Sequence, residues 1–75
     1  MSARSVRRAA IREAHRRIAD MARAGTPLTN HERWVLLALA EHVGADGRTP
    51  PMTNAELAAA ARRVGLREAL RGGPS

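Results

Sequence analysis

The stretch Thr29 to Val43, TNHERWVLLALAEHV, decides the fold, because it carries the only tryptophan and the densest run of large apolar side chains in the chain. At about 100° per residue, Leu36, Leu39, Ala40 and Val43 share one face, and Trp34, Leu37 and Ala38 fall on the other side. A helix that is apolar on nearly all sides needs neighbours on more than one of them. The segment is therefore expected to be the central helix, over residues 29–43, with what precedes and follows it packed against it. Its start is marked by a capping box: Thr29 caps the first turn, and Glu32, three residues on, reaches back to the Thr29 amide. A carboxylate in the first turn also suits the helix dipole.

The rest of the chain can add little bulk to this helix. A chain of 75 residues forms one domain, and at that size folding buries roughly 60–65% of the surface that the unfolded chain exposes. There is no Phe, Tyr or Cys, so neither further aromatic bulk, disulfides nor thiolate metal sites enlarge a small core. A second copy or a partner surface is a reasonable expectation for such a chain. No apolar run approaches the ~20 residues of a membrane span, and a soluble, cytoplasmic protein is expected. Thirteen basic residues against seven acidic ones give a net charge of +6, a balance that favours polyanions or acidic protein surfaces as partners. All thirteen are Arg, and Ala is abundant. A GC-rich genome explains the choice of Arg over Lys, but not the excess of base over acid.

The charge is also sorted. Residues 2–24, SARSVRRAAIREAHRRIADMARA, read as a first helix stopped by Gly25 and the following Thr26-Pro27. Val6, Ala10, Ala14, Ile18 and Met21 form its inner stripe, with Ile11 and Ala22 at the margin. Seven of the thirteen Arg and only two of the seven acids lie in this segment. Arg8, Arg12 and Arg16 repeat every four residues and Arg23 rejoins them a heptad later, while Glu13 and Asp20 lie together on the other flank. Those acids can pair with Arg16 and Arg17 and leave Arg8 and Arg12 largely unneutralised. Such a ladder, ~6 Å per step, can track phosphates without reading sequence, or it can be a solvated face. Membrane-surface binding is disfavoured, because the apolar face is mostly Ala.

A short linker, Gly25 to Leu28, holds the first two helices close. After the central helix, Gly44 and the Asp46-Gly47 pair signal a turn, and Thr49-Pro50-Pro51-Met52 is extended because residues before proline leave the helical region. A minimal strand is the most that could form there. Thr53 and Glu56 repeat the capping box, and Leu57, Ala60, Ala61 and Val64 give the next inner face. The chain then runs through Gly65 to Arg71, and residues 72–75, GGPS, are expected to be a disordered tail.

An Ala four residues before a Gly, here Ala61 and Gly65 flanked by Val64 and Leu66, looks like the turn of a helix-turn-helix, where the small residue lets two helices cross and the glycine takes a positive φ. The larger frame runs from Leu28 through LTNHERWVLLALAEH, then Asp46-Gly47-Arg48, a proline link and a capped Leu57-Ala58 helix. It is similar to winged helix-turn-helix domains of phage, plasmid and actinobacterial regulators and replication proteins. The resemblance covers about residues 28–71, and Leu28 to Arg48 is its more specific part. It implies an all-α bundle of three to four helices of helix-turn-helix type, with at most a vestigial strand. It also implies a segment after Gly65 that enters the major groove with Arg67 and Arg71 as its reaching side chains. The chain departs from the family: Arg67 stands where a capping hydroxyl is expected, and no wing can be built after residue 71. The alternative is one helix over residues 54–71, with Gly65 tolerated inside it at ~1 kcal/mol.

Two functions follow. In the first, the chain is a small, basic, regulatory protein that binds double-stranded DNA, with Arg8, Arg12 and Arg16 on phosphates and Arg62, Arg63, Arg67 and Arg71 around the short second element. In the second, it is a helical interaction module that docks on a host protein, or on a second copy, without touching nucleic acid. Trp34, Leu37 and Ala38 are the interface if the neighbouring helices leave them uncovered. No enzyme is expected, since no phosphate loop, catalytic carboxylate pair or activated nucleophile can be assembled, and no cofactor or small-molecule substrate is evident. No metal site is expected either: His31 and His42 lie roughly 16 Å apart along a helix, too far to share a metal.

Overall fold

The computed structural model describes residues 2–72. It contains three helices, α1 (Ala3–Arg23), α2 (Asn30–Glu41) and α3 (Asn54–Gly72), and no strand among the described residues. Helix α2 is the middle of the molecule. Both α1 and α3 pack on it, and they do not pack closely on each other.

Each helix begins and ends for a local chemical reason. At the start of α1 the Ser2 hydroxyl accepts from the Ser5 amide at 3.1 Å. At its end, Ala24 is the cap and Gly25 takes φ of 86°. The Gly25 and Thr26 amides then bond back to the Ala22 and Met21 carbonyls at 3.1 and 3.0 Å, the paired closure of a Schellman motif. Both capping boxes form. The Glu32 amide donates to Thr29 Oγ1 at 3.1 Å and the Thr29 amide to Glu32 at 2.9 Å; Thr53 and Glu56 repeat the exchange at 3.1 and 3.0 Å.

Helix α2 ends at Glu41, two residues earlier than expected, with His42 as its cap. His42 Nδ1 donates to the Ala38 carbonyl at 2.8 Å, a local bond that competes with continuation of the helix. The Asp46-Gly47 turn closes as expected, with Gly47 at φ of 80° and the Gly44 amide on the Arg48 carbonyl at 2.9 Å. The proline link forms neither helix nor strand; the Thr49 hydroxyl pins it by donating to the Leu39 carbonyl at 3.0 Å.

The core is built mainly from small residues. Ala14, Leu37, Ala38, Ala40, Ala60 and Val64 are buried together, and Ile11, Ile18, Trp34, Leu36, Met52 and Leu57 pack around them. Ala38 is wholly covered. The inner face expected for α3 is observed. On α1 the stripe holds from Ala10 to Ile18; Val6 before it is half-buried, and Met21 after it is 39% exposed.

The expected turn at Gly65 is absent. Helix α3 passes straight through it, and Gly25 and Gly47 alone have positive φ among the described residues. The small-residue pattern serves a different contact. A Cβ at Gly65 would lie 3.0 Å from three atoms of the Trp34 ring, so the missing side chain lets the indole lie flat on the α3 backbone. Ala61 one turn earlier is 1% exposed. Two small residues one turn apart allow two straight helices to approach closely, and here they draw α3 onto α2. Residues 66–71 are the last turns of α3, not a separate recognition helix. Gly72 belongs to the helix, and the rest of the expected tail, residues 73–75, lies outside the described residues.

Candidate nucleic-acid interface

The site follows from how few carboxylates are free to neutralise arginine. Glu32 and Glu56 are held in the two capping boxes, and Asp46 accepts from the Arg48 amide at 3.1 Å. Glu13 pairs with Arg16 at 2.7 Å, Asp20 with Arg23, and Glu41 with Arg67. Glu68 accepts from Trp34 Nε1 at 3.0 Å and meets Arg33 at 3.5 Å, which locks α2 to α3 beside the Gly65 contact. All seven acids are thereby engaged. Among the described residues, the nine arginines other than Arg16, Arg23, Arg33 and Arg67 meet no carboxylate.

The helical register sorts these cations. Along the ladder Arg4, Arg8, Arg12, Arg16, each four-residue step turns about 40° further round α1. Its first three members stay on the flank that carries Ile11 and His15. The fourth has rotated to the flank of Glu13, and the hydrogen bond between them lowers the Glu13 pKa and raises that of Arg16. Arg16, expected among the phosphate contacts, is therefore neutralised locally. Asp20 takes Arg23 rather than Arg17, since three residues on is the better-placed neighbour on a helix face.

Arg4, Arg7, Arg8 and Arg12 together line a shallow hollow of about 320 Å³ over Ile11. Arg7 is braced from below, its Nε 3.5 Å from the Val43 carbonyl just beyond the end of α2, where a cation meets the negative end of the helix dipole. Ile11 also belongs to an open groove of about 290 Å³ between α1 and α3, floored by Leu37 and Val64 and edged by His15, Arg67 and Arg71 together with two acids already engaged, Glu41 and Glu68. The two depressions share Ile11, so Arg8 and Arg12 from α1 and Arg67 and Arg71 from α3 border one side of the molecule.

The remaining expected residues lie elsewhere. Arg62 and Arg63 are exposed on α3 away from its buried stripe. Leu37 and Ala38 are 4% and 0% exposed, and Trp34 is spread over Gly65. The other helices thus cover Leu37 and Ala38 on the side of α2 expected as an interface, while Trp34 stays half-buried. Sequence reasoning missed Arg4 and Arg7. Arg4 was visible as the ladder's preceding step; Arg7, at the margin of the inner stripe, required the position of the α2 terminus. Among the described residues no cluster of three or more His, Asp or Glu is placed to hold a metal ion, and no helix is long and apolar enough to cross a membrane.

No protein-family model, curated protein or solved structure matches the chain.

Proposed function

We propose that the protein binds double-stranded DNA through its phosphate backbone, without reading base sequence, and that the first half of α1 is the principal contact. One observation carries this reading: every carboxylate is engaged in a cap, a turn or an ion pair, while Arg4, Arg7, Arg8 and Arg12 line a single hollow with no acid in it. Ordinary solvated helices interleave their charges and satisfy arginine locally, as α1 itself does at Arg16 and Arg23. A polyanion satisfies the unpaired half by releasing counterions as the guanidinium groups replace them. Arg4, Arg8 and Arg12 supply the row of anchors, Arg7 is held beside them by the Val43 carbonyl, and Arg71 adds a contact from the facing edge. Binding of this kind would hold the protein on chromosomal DNA in the nucleoid.

Base readout is not part of the proposal. Phosphate contacts position a protein and carry no sequence information, and the segment expected to enter the major groove is continuous with α3, where Glu41 holds Arg67. Fluorescence anisotropy with short duplexes of unrelated sequence tests this reading. Affinities should agree across sequences and fall together when Arg4, Arg8 and Arg12 are replaced by Ala. A strong preference for one sequence, or unchanged affinity in the triple variant, refutes it.

A further inference from the structure

Two leucines stand in water on the outer side of α3. Leu66 is 59% and Leu70 84% exposed, the most exposed large apolar side chains among the described residues. They lie one turn apart, and exposed Ala55 and Ala59 continue the strip towards the start of the helix. Packing on α2 does not use them, since Leu57, Ala60, Ala61 and Val64 form the inner face. A lone surface leucine needs no explanation, but two in helical register on an otherwise arginine-rich surface form a coherent patch.

The charge around them is of one sign. Arg62 and Arg63 stand one turn before Leu66, and neither meets a carboxylate. The nearest acid in the helix, Glu68, is turned to the α2 side, where it holds Trp34 and Arg33. This combination discriminates among occupants. A second copy paired across the strip would set Arg62 and Arg63 against their own counterparts with no acid between them. Duplex DNA suits the arginines but gives the leucines nothing to bury against. A helix with an apolar stripe and acidic margins satisfies both, which is the helix-on-surface mode of recognition.

We propose that Leu66 and Leu70, with Arg62 and Arg63 beside them, are the docking site for an acidic amphipathic helix of a partner protein. The site is distinct from the arginine hollow on α1, so DNA and the partner helix can be bound together. A synthetic peptide of about four helical turns, with leucines at i, i+3, i+4 and i+7 and glutamates on both margins, is the probe. It is titrated into the full chain, and backbone amide shifts map where it binds. Saturable shifts centred on Leu66, Leu70, Arg62 and Arg63 are expected, with affinity reduced at least about tenfold by Leu66→Ser with Leu70→Ser. A peptide with the same leucines and lysine margins should bind more weakly, and added salt should weaken the acidic peptide.

Both leucines are exposed, so the double variant should remain folded and keep its DNA affinity. That separates failure here from failure of the DNA reading. Equal binding of the lysine-margin peptide, or shifts confined to the α1 arginines, overturns the proposal. So does a concentration-dependent dimer that the two serine substitutions abolish, which would make a second copy the occupant.

Discussion

Gly65→Ala, made in two backgrounds, tests why α3 carries a glycine at its contact with α2. In the native background two effects oppose. Alanine favours an exposed helix interior over glycine by about 0.8–1 kcal/mol. Its Cβ, however, would sit 3.0 Å from Cδ2, Cε2 and Cε3 of Trp34, and the Trp34 hydrogen bond to Glu68 restrains the ring from sliding away. Overpacking of this kind costs about 1–3 kcal/mol, so the substitution should be between neutral and about 2 kcal/mol destabilising. In the Trp34→Leu background the flat ring is gone and only the propensity term remains. The same substitution should then stabilise by up to about 1 kcal/mol, a coupling of about 1–3 kcal/mol between the two positions. Urea unfolding of the four proteins, followed by far-ultraviolet circular dichroism, measures the cycle; thermal midpoints should move about 4–8 °C per kcal/mol for a chain of this size. Equal destabilisation in both backgrounds would refute the reasoning. It is the pattern expected if residue 65 occupied a positive-φ turn, where alanine is strained whatever its neighbours.

Other perturbations probe the caps and the core. Thr29→Ala and Thr53→Ala each remove a capping box and should each cost about 1 kcal/mol in urea unfolding. The Thr29 amide, and then its hydroxyl, hold the Glu32 pKa below the usual glutamate range, and Thr53 does the same for Glu56. Because the folded-state values are lowered, the stability these groups contribute is fully present above that range. It is lost as pH falls through the lowered values. A pH series of unfolding should show that loss, and Glu32→Gln with Glu56→Gln should flatten it. Ala38→Leu, at a position with no exposed surface, should cost about 1–3 kcal/mol by overpacking, whereas Ala59→Leu on the exposed side of α3 should change stability by less than about 0.5 kcal/mol.

Much of this fold was legible because its signals are local. Thr29 with Glu32, Thr53 with Glu56, Gly25 after α1 and the Asp46-Gly47 turn each encode a hydrogen bond or a backbone angle within a few residues. Each appears where expected. The all-round apolar character of residues 34–43 likewise required helices on more than one side of α2, and α1 and α3 supply them. Gly65 was ambiguous for a physical reason. A small residue one turn after Ala61 serves either a sharp turn or a close crossing of straight helices, and what decides is the Trp34 ring, thirty-one residues away in sequence. The same contact runs α3 on as one helix, which leaves Leu66 and Leu70 on its outer side.

The arginine surface was partly legible. Periodicity placed Arg8 and Arg12 together and put Arg16 within reach of Glu13, but it could not show that Asp20 would take Arg23 or that Glu41 would claim Arg67 across helices. Nor could it show that Arg7 would rest on the end of α2. Those pairings depend on rotamers and on helix placement, which a spacing rule does not contain.

The salt dependence of binding to duplex DNA tests the central proposal most directly. The logarithm of the binding constant should fall linearly with the logarithm of salt concentration, with a slope of about −0.9 per phosphate contacted. Contacts from Arg4, Arg8, Arg12 and Arg71 give an expected slope of about −3 to −4, and Arg8→Ala with Arg12→Ala should make it shallower by about 2. Absence of binding at low salt, or a slope unchanged by those two substitutions, would contradict the assignment of the α1 arginines to the DNA backbone.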